Sequence, residues 1–320
     1  MTSTATLDRP VAGSGARRRK TNSLLPSASP KLIIGLSLAG AIIAFGIIVP
    51  LFVGNPTTVN DIGLTAPGAG HVLGTTQTGQ DVFGQLAYAT RGSLIIGFLV
   101  AIIAMALSTF FGIVGAYAGG WLDEAFSLIT NVWLVIPGLP LVIIISAYVP
   151  HKSLLLVAGV LAITSWAGGA RVLRAVTLSL RNRDYVAASR VSGEKTWRIL
   201  MVEILPNLVP ILASQFVFGI IFAILGEAGL SYLGLGASGS LTWGTMLFYA
   251  QNGLALRLGA WWWFVPPGLL IASFGAALSL INFSIDEIIN PKLRDQTRSA
   301  RKKWGISKAA LKKLQQEDVL

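Results

Sequence analysis

The residues able to do chemistry concentrate in Asp184–Pro210, DYVAASRVSGEKTWRILMVEILPNLVP, a polar stretch set between two strongly apolar runs. Arg190, Glu194, Lys195, Arg198 and Glu203 charge it, in a chain of which only 12% of residues are charged. Gly193 sits where a short first helix must break, and Leu205-Pro206 is expected to close the segment before the next apolar run. Recognition is the chemistry these residue types offer, because a short polar helix turned back on itself fits a groove on a partner. The plainer reading is a solvated loop whose positive charges only fix topology. Against that stand Val186, Val191, Trp197, Ile199, Met201 and Ile204, too many apolar side chains to leave in water without a partner.

Covalent and metal chemistry find little material. There are no cysteines, which excludes a disulfide framework, a thiolate nucleophile and a Cys-based metal site. The two histidines, His71 and His151, lie far apart, and neither has a ligand partner at helical spacing. The chain has no G-x-x-x-x-G-K-[ST] phosphate loop, so it is expected to be non-catalytic and to carry no cofactor; any ATP would be split by a separate chain. Glu227 is the one acid close to the apolar interior. Ionisable groups in a membrane face a cavity or a partner, so Glu227 either sits shallow enough for water to reach it or lines a solute path. The 35 glycines read as sites of close helix approach and bending.

These residues are positioned by a framework built for lipid. The 320 residues are 53% hydrophobic, and a soluble domain carries about 25% charged residues, roughly twice the share found here. The apolar residues form long runs, at Leu32–Val53, Ser93–Ala118, Ala125–Val149, Leu154 to about Arg174, Val209–Gly229 and Trp262–Ile285. Each run approaches or exceeds the roughly 20 residues that carry a helix across the hydrocarbon core. Backbone groups in lipid must pair within their own segment. The fold class expected is therefore all-α and polytopic, with six transmembrane helices, the third kinked at Pro137-Gly138 and Pro140. The first run exceeds a typical signal-peptide core and lacks a small-x-small cleavage site, so it reads as a retained anchor.

Of the 25 Lys and Arg, only Arg91, Lys152 and Arg257 fall on one side of this arrangement. The other 22 lie in the N-terminal tail, the Arg171–Arg198 segment and the C-terminal tail, which the positive-inside rule makes cytoplasmic. The formal charge of +11 thus reads as membrane topology and attraction to anionic lipid, and not as nucleic-acid binding. The organisation expected is a disordered basic cytoplasmic tail (1–31), a first span with its outer loop (32–92), a five-span core holding the loop 184–210 (93–285), and a basic cytoplasmic tail (286–320). Trp261-Trp262-Trp263 is expected to anchor the last span at the outer interface.

The pattern Tyr185-Val186-Ala187-Ala188-Ser189-Arg190, Gly193, then Ile204-Leu205-Pro206-Asn207 resembles the EAA loop of permease subunits of ATP-binding-cassette importers. Ala187 stands where the family has Glu, and Ser189 where it has a second Ala. Gly112-Ile113-Val114-Gly115-Ala116-Tyr117, Ser231-Tyr232-Leu233-Gly234-Leu235-Gly236 and Gly79-Gln80-Asp81-Val82-Phe83 are similar to the dipeptide, oligopeptide and nickel branch. The resemblance covers roughly residues 70–295. It implies a coupling helix, built from Tyr185, Ala187, Ala188, Ser189, Arg190, Gly193, Glu194, Leu205 and Pro206, that docks into an ATPase. It also implies a second permease subunit in a heterodimer, two cytoplasmic ATPase subunits and an extracytoplasmic solute-binding protein, together importing peptides across the cell membrane. Oligosaccharide or nickel import on the same architecture stays open. An ion-coupled secondary transporter is the alternative from another class, though such a protein is expected to show intramembrane acids.

Overall fold

The computed structural model describes residues 29–149, 153–237 and 239–289. His151, Lys152, most of the N-terminal tail and the tail from 290 onward lie outside the described residues. All regular elements among the described residues are helices, apart from a single bridge between Thr75 and Asp81. In chain order they are α1 (Pro30–Ile48), α2 (Val82–Thr109), α3 (Gly115–Ala118), α4 (Gly120–Val135), α5 (Gly138–Tyr148), α6 (Leu154–Arg181), α7 (Asp184–Val191), α8 (Thr196–Arg198), α9 (Leu205–Tyr232), α10 (Trp243–Asn252) and α11 (Trp261–Ile289). The all-α polytopic class stands.

Five uninterrupted helical stretches are long and apolar enough to cross a membrane, and α4 with α5 makes a sixth only as a pair bent by 83°. The bend falls at Ile136-Pro137, where both residues take extended backbone. A residue before proline is pushed out of the α region, and proline has no N–H to continue the ladder. Whether this pair crosses is decided by its neighbours. Ile96 and Val100 of α2 pack with Val157 and Leu161 of α6, Ser108 bonds the Trp166 carbonyl at 2.7 Å, and Ala116 receives Arg181 at 3.0 Å. Rising numbers meet rising numbers, so α2 and α6 run parallel. The chain between them must therefore return to the level at which α2 began, and α4 and α5 make that return. Six crossings follow.

Helix ends differ from those the apolar runs suggest. Asp81 caps α2, accepting from the Gly84 N–H at 2.7 Å. The helix therefore starts eleven residues before the run at Ser93. Val82, Leu86 and Ala89 in that added piece are buried. At the other end of the loop Asp184–Pro210, Leu205-Pro206 closes nothing. α8, a wide turn Ile199–Ile204 and α9 continue as one stretch from Thr196 to Tyr232. Pro206 sits in the first turn of α9, where its missing N–H is tolerated, and the Leu205 N–H reaches back to the Leu200 carbonyl.

On the opposite side, α10 is a helix that the sequence had left inside a loop. It is closed by a reciprocal Thr242–Thr245 capping box. The tryptophan belt is also narrower than expected. Consecutive helical residues point about 100° apart, so Trp261 is exposed while Trp262 bonds the Thr75 carbonyl at 3.2 Å and Trp263 is buried.

The antiparallel pair α1 and α11 is tied by Lys31–Glu287 at 2.6 Å, at the same end as the loop carrying α7. On intact cells, an impermeant maleimide is expected to label Val72→Cys and to leave Ser192→Cys untouched. Reaction of Ser192→Cys would reverse this orientation. The natural chain contains no cysteine, so each variant reports one site.

Candidate functional site

Three sites are stacked along one frame of helices. At one end is α7. Val186 is fully buried and enters a cluster of Ile113, Tyr117, Leu173, Ile204 and Leu208, drawn from the ends of the α2–α3 stretch, α6 and α9. Arg190 lies over the Tyr117 ring, 5.0 Å from its centroid. Asp184 in the first turn and Arg190 in the last complement the helix dipole. Ser189 donates to the Tyr185 carbonyl at 3.1 Å. Ala187 and Ala188 are exposed.

The helix ends on a left-handed glycine. Gly193 has φ +77°, its N–H donates to the Arg190 carbonyl, and the Glu194 N–H reaches the Ser189 carbonyl. These two bonds form a Schellman motif. A Cβ at Gly193 would meet nothing within 4 Å, so only the backbone conformation restricts this position. Past the turn, Glu194 pairs with Arg198 one helical turn on. The structure thus brings Tyr185, Ala187, Ala188, Ser189, Arg190, Gly193 and Glu194 onto one short projection. Leu205 and Pro206 are set apart from it, at the start of α9. The tip exposes Val191 (90%) and Trp197 (67%), two large apolar groups that no other described residue covers.

Below this seat, α2, α5, α6 and α9 enclose a cavity of about 830 Å³. No Asp, Glu, Lys, Arg or His among the described residues lines it. Its polar groups are Ser108, Thr164, Ser165 and Gln215. Ser108 is held on the Trp166 carbonyl, and Gln215 Nε2 donates to the Gly169 carbonyl at 3.3 Å. Phe218, Phe222 and Leu225 on its rim are exposed. The cavity is of drug-ligand size and mainly apolar, with a few placed polar groups.

Glu227 is absent from that lining, although its neighbour Gly226 belongs to it. It is 1% exposed, with Oε1 accepting from Ser231 at 2.5 Å and from Thr242 at 2.7 Å. Next to it the Trp243 N–H donates to Ser93 at 2.9 Å, and its indole N–H to Thr90 at 3.0 Å. These groups form a sealed polar tier that pins α10 onto α2 and α9. Within the described residues the carboxyl is buried and does not line that cavity. His71 closes the loop before α2, with Nδ1 2.9 Å from Asp81 Oδ1.

Two participants escaped the sequence reading. Tyr117 was visible as part of Gly112–Tyr117, but nothing in one dimension placed it under Arg190. The bidentate pair of Arg174 with Asp123, at 2.7 and 2.9 Å, clamps α4 to α6. Its partners lie 51 residues apart, and no local signal joins them.

The family described as binding-protein-dependent transport system inner membrane component matches residues 108–295. The dipeptide transport system permease protein of Bacillus subtilis is 33% identical over 269 residues, 81% of this chain and 82% of that protein. The oligopeptide transport system permease protein of the same bacterium is 33% identical, covering 85% and 90% of the two chains. For the dipeptide transport system permease protein of Haemophilus influenzae the identity is 33%, over 75% and 83%.

Val186 is the one buried side chain that seats α7. Val186→Asp puts a carboxylate among apolar groups, which is unfavourable by several kcal/mol or expels the helix. In a Leu208→Cys background, Val186→Asp is expected to make the thiol reactive toward maleimide and Val186→Ile to leave it protected. Equal reactivity in the two would show that α7 is held by something other than Val186.

Proposed function

This chain belongs to the family of binding-protein-dependent transport system inner membrane components, and from that membership we propose that it is one of two permease subunits of an ATP-driven peptide importer. Its place is the cell membrane, with both termini cytoplasmic. Two cytoplasmic ATPase subunits supply the energy, and an extracytoplasmic binding protein delivers the solute.

The observation that carries this reading is the shared frame. α7 is seated through Val186 on the same helices that enclose the cavity. A push on the exposed tip at Val191 and Trp197 therefore reaches α2, α6 and α9 together, with no flexible linker between. ATPase closure would move α7 as a rigid projection and tilt these helices between two packings, so that the cavity opens to one side and then the other. The second permease subunit would cover the rim at Phe218 and Phe222 and complete the path.

Peptide as solute is supported by the relatives' names and by the lining. Ser108, Thr164, Ser165 and Gln215 offer hydroxyl and amide groups that pair with a peptide main chain. Among the described residues the lining offers a bare metal ion no carboxylate or imidazole ligand. It likewise holds none of the ionisable groups that ion-coupled transporters use.

The test is uptake of a labelled peptide into vesicles holding the full complex. Uptake is expected to need ATP inside, and uptake driven by an ion gradient without ATP would overturn the proposal. Within that assay Gly193→Val is expected to insert normally but to weaken ATPase docking. Forcing a β-branched residue into the left-handed region costs about 1–2 kcal/mol, enough to lower docking about tenfold. Gly193→Asn, which tolerates that region, should retain most uptake. Equal transport by Gly193→Val and the parent would reduce this loop to a topology-setting linker.

A further inference from the structure

What the cavity's polar side chains can offer a solute depends on the bonds they already make. The Ser108 hydroxyl donates to the Trp166 carbonyl at 2.7 Å, Thr164 to the Val160 carbonyl at 3.0 Å and Ser165 to the Ala162 carbonyl at 3.3 Å. A hydroxyl has one proton, so these three turn only lone pairs toward the cavity. Gln215 Nε2 is engaged by the Gly169 carbonyl at 3.3 Å, and its Oε1 accepts from no described residue. The second hydrogen on Gln215 Nε2 is the one donor left on the polar side chains of the described lining. Gly169 brings two of the acceptors together. A Cβ there would lie 2.7 Å from Ser108 Oγ and 3.0 Å from Gln215 Oε1, so both oxygens stand over the same bare Cα. Ser214, one residue before Gln215, bonds Asp286 of α11 at 3.2 Å and fixes the rotation of α9 at this level.

Two acceptors over one point discriminate between side chains of opposite charge. A lysine ammonium carries three donors and an arginine guanidinium five, whereas an ionised carboxylate carries none. A basic side chain can therefore bond Ser108 Oγ and Gln215 Oε1 at once, while an acidic one sets its own lone pairs against theirs. Peptide main chain, which brings both donors and acceptors, is common to all peptides and is not sorted by this pair. The neutrality of the pair also suits passage. Hydrogen bonds between two ionised groups are about twice as strong as neutral ones, so a carboxylate here would hold a cation as a trap. A transport path needs binding favourable enough to enter and weak enough to leave. An amide and a hydroxyl give a preference without that hold.

We propose that Ser108 Oγ and Gln215 Oε1 form a subsite for the basic side chain of a peptide in transit, and that Gln215 is the specificity-determining residue that favours basic over acidic peptides. The proposal rests on the permease reading above. The experiment uses proteoliposomes holding the full complex, supplied with equal amounts of labelled alanyl-lysyl-alanine and alanyl-glutamyl-alanine. It reads the ratio of lysyl to glutamyl peptide taken up with ATP. The same binding protein serves every arm, so a change of ratio between variants belongs to the permease. Gln215→Glu is expected to raise the ratio about tenfold, and Gln215→Lys to lower it about tenfold. Gln215→Met, which keeps the volume and loses the amide, should lower it severalfold. Ser108→Ala removes the other acceptor with little change of volume and should do the same, which keeps the test alive if a charged variant fails to assemble. A ratio unchanged across these variants would overturn the subsite and leave the permease reading standing. A ratio moving the same way in Gln215→Glu and Gln215→Lys would show a disturbed cavity and overturn it too. Absence of ATP-dependent uptake of either peptide by the parent complex would instead remove the permease reading, and this proposal with it.

Discussion

Gly112 lets α2 approach α6 so closely that a Cβ there would lie 2.6 Å from the Ala170 carbonyl oxygen. Lipid tails are as apolar as leucine side chains, so helices in a bilayer gain little from hiding apolar surface and associate through close packing. That single approach sets much else. It holds α2 and α6 parallel, which forces α4 and α5 to carry the chain back and leaves the cavity between them. It also brings Ile113 and Tyr117 beside Leu173, and these residues make the seat for Val186. A larger residue at 112 would part the helices at the point where α7 is anchored.

Polar contacts are placed where packing alone would not fix position. Arg174 on Asp123 and Arg171 on Asn131 hold α4 against α6, and the Trp133 indole bonds the Ile163 carbonyl. α5, beyond the bend at Ile136-Pro137, has no side-chain hydrogen bond of this kind among the described residues. The bent pair is therefore asymmetric, with a clamped half and a half held by packing of residues such as Val142. At the end of the frame away from α7, the Glu227–Thr242 and Trp243–Ser93 bonds add to the packing of Trp243, Met246 and Ala250 in fixing α10.

Apolar runs made the spans legible, because the bilayer imposes a length and a composition that survive in one dimension. They left the ends illegible. The first turns of α2 contain Gln85, Thr90 and Arg91, so hydropathy falls before the helix does, and burial of Val82, Leu86 and Ala89 keeps it folded. α10 was missed for a related reason, since ten residues with a capping box are too short to register as an apolar run. The loop 184–210 was read from its charges and Gly193, whose backbone takes the left-handed conformation. Its second arm was misread, because Leu205-Pro206 resembles a stop and is here the start of a helix. Glu227 was read as either reached by water or on a solute path, and the structure buries it against Ser231 and Thr242. Thr242, which holds it, lies 15 residues on, beyond the reach of any local pattern.

One helix links all three sites. α9 gives Leu208 to the seat of α7, Gln215 and Phe222 to the cavity, and Glu227 and Ser231 to the outer tier. The stretch that contains it runs 37 residues, about 55 Å at helical rise, and so spans more than the ~30 Å hydrocarbon core. Its two ends are not mechanically alike. Pro206 and Pro210 each remove a backbone donor near the inner end, and the wide turn Ile199–Ile204 precedes them. The outer end has an unbroken ladder and is bolted by the Glu227 bonds. On the proposed mechanism, a displacement of α7 would meet a helix that yields near Pro210 and is stiff beyond it. Bending would be taken up between the seat of α7 and the cavity, and the part lining the cavity would move as a unit with the Glu227 tier attached.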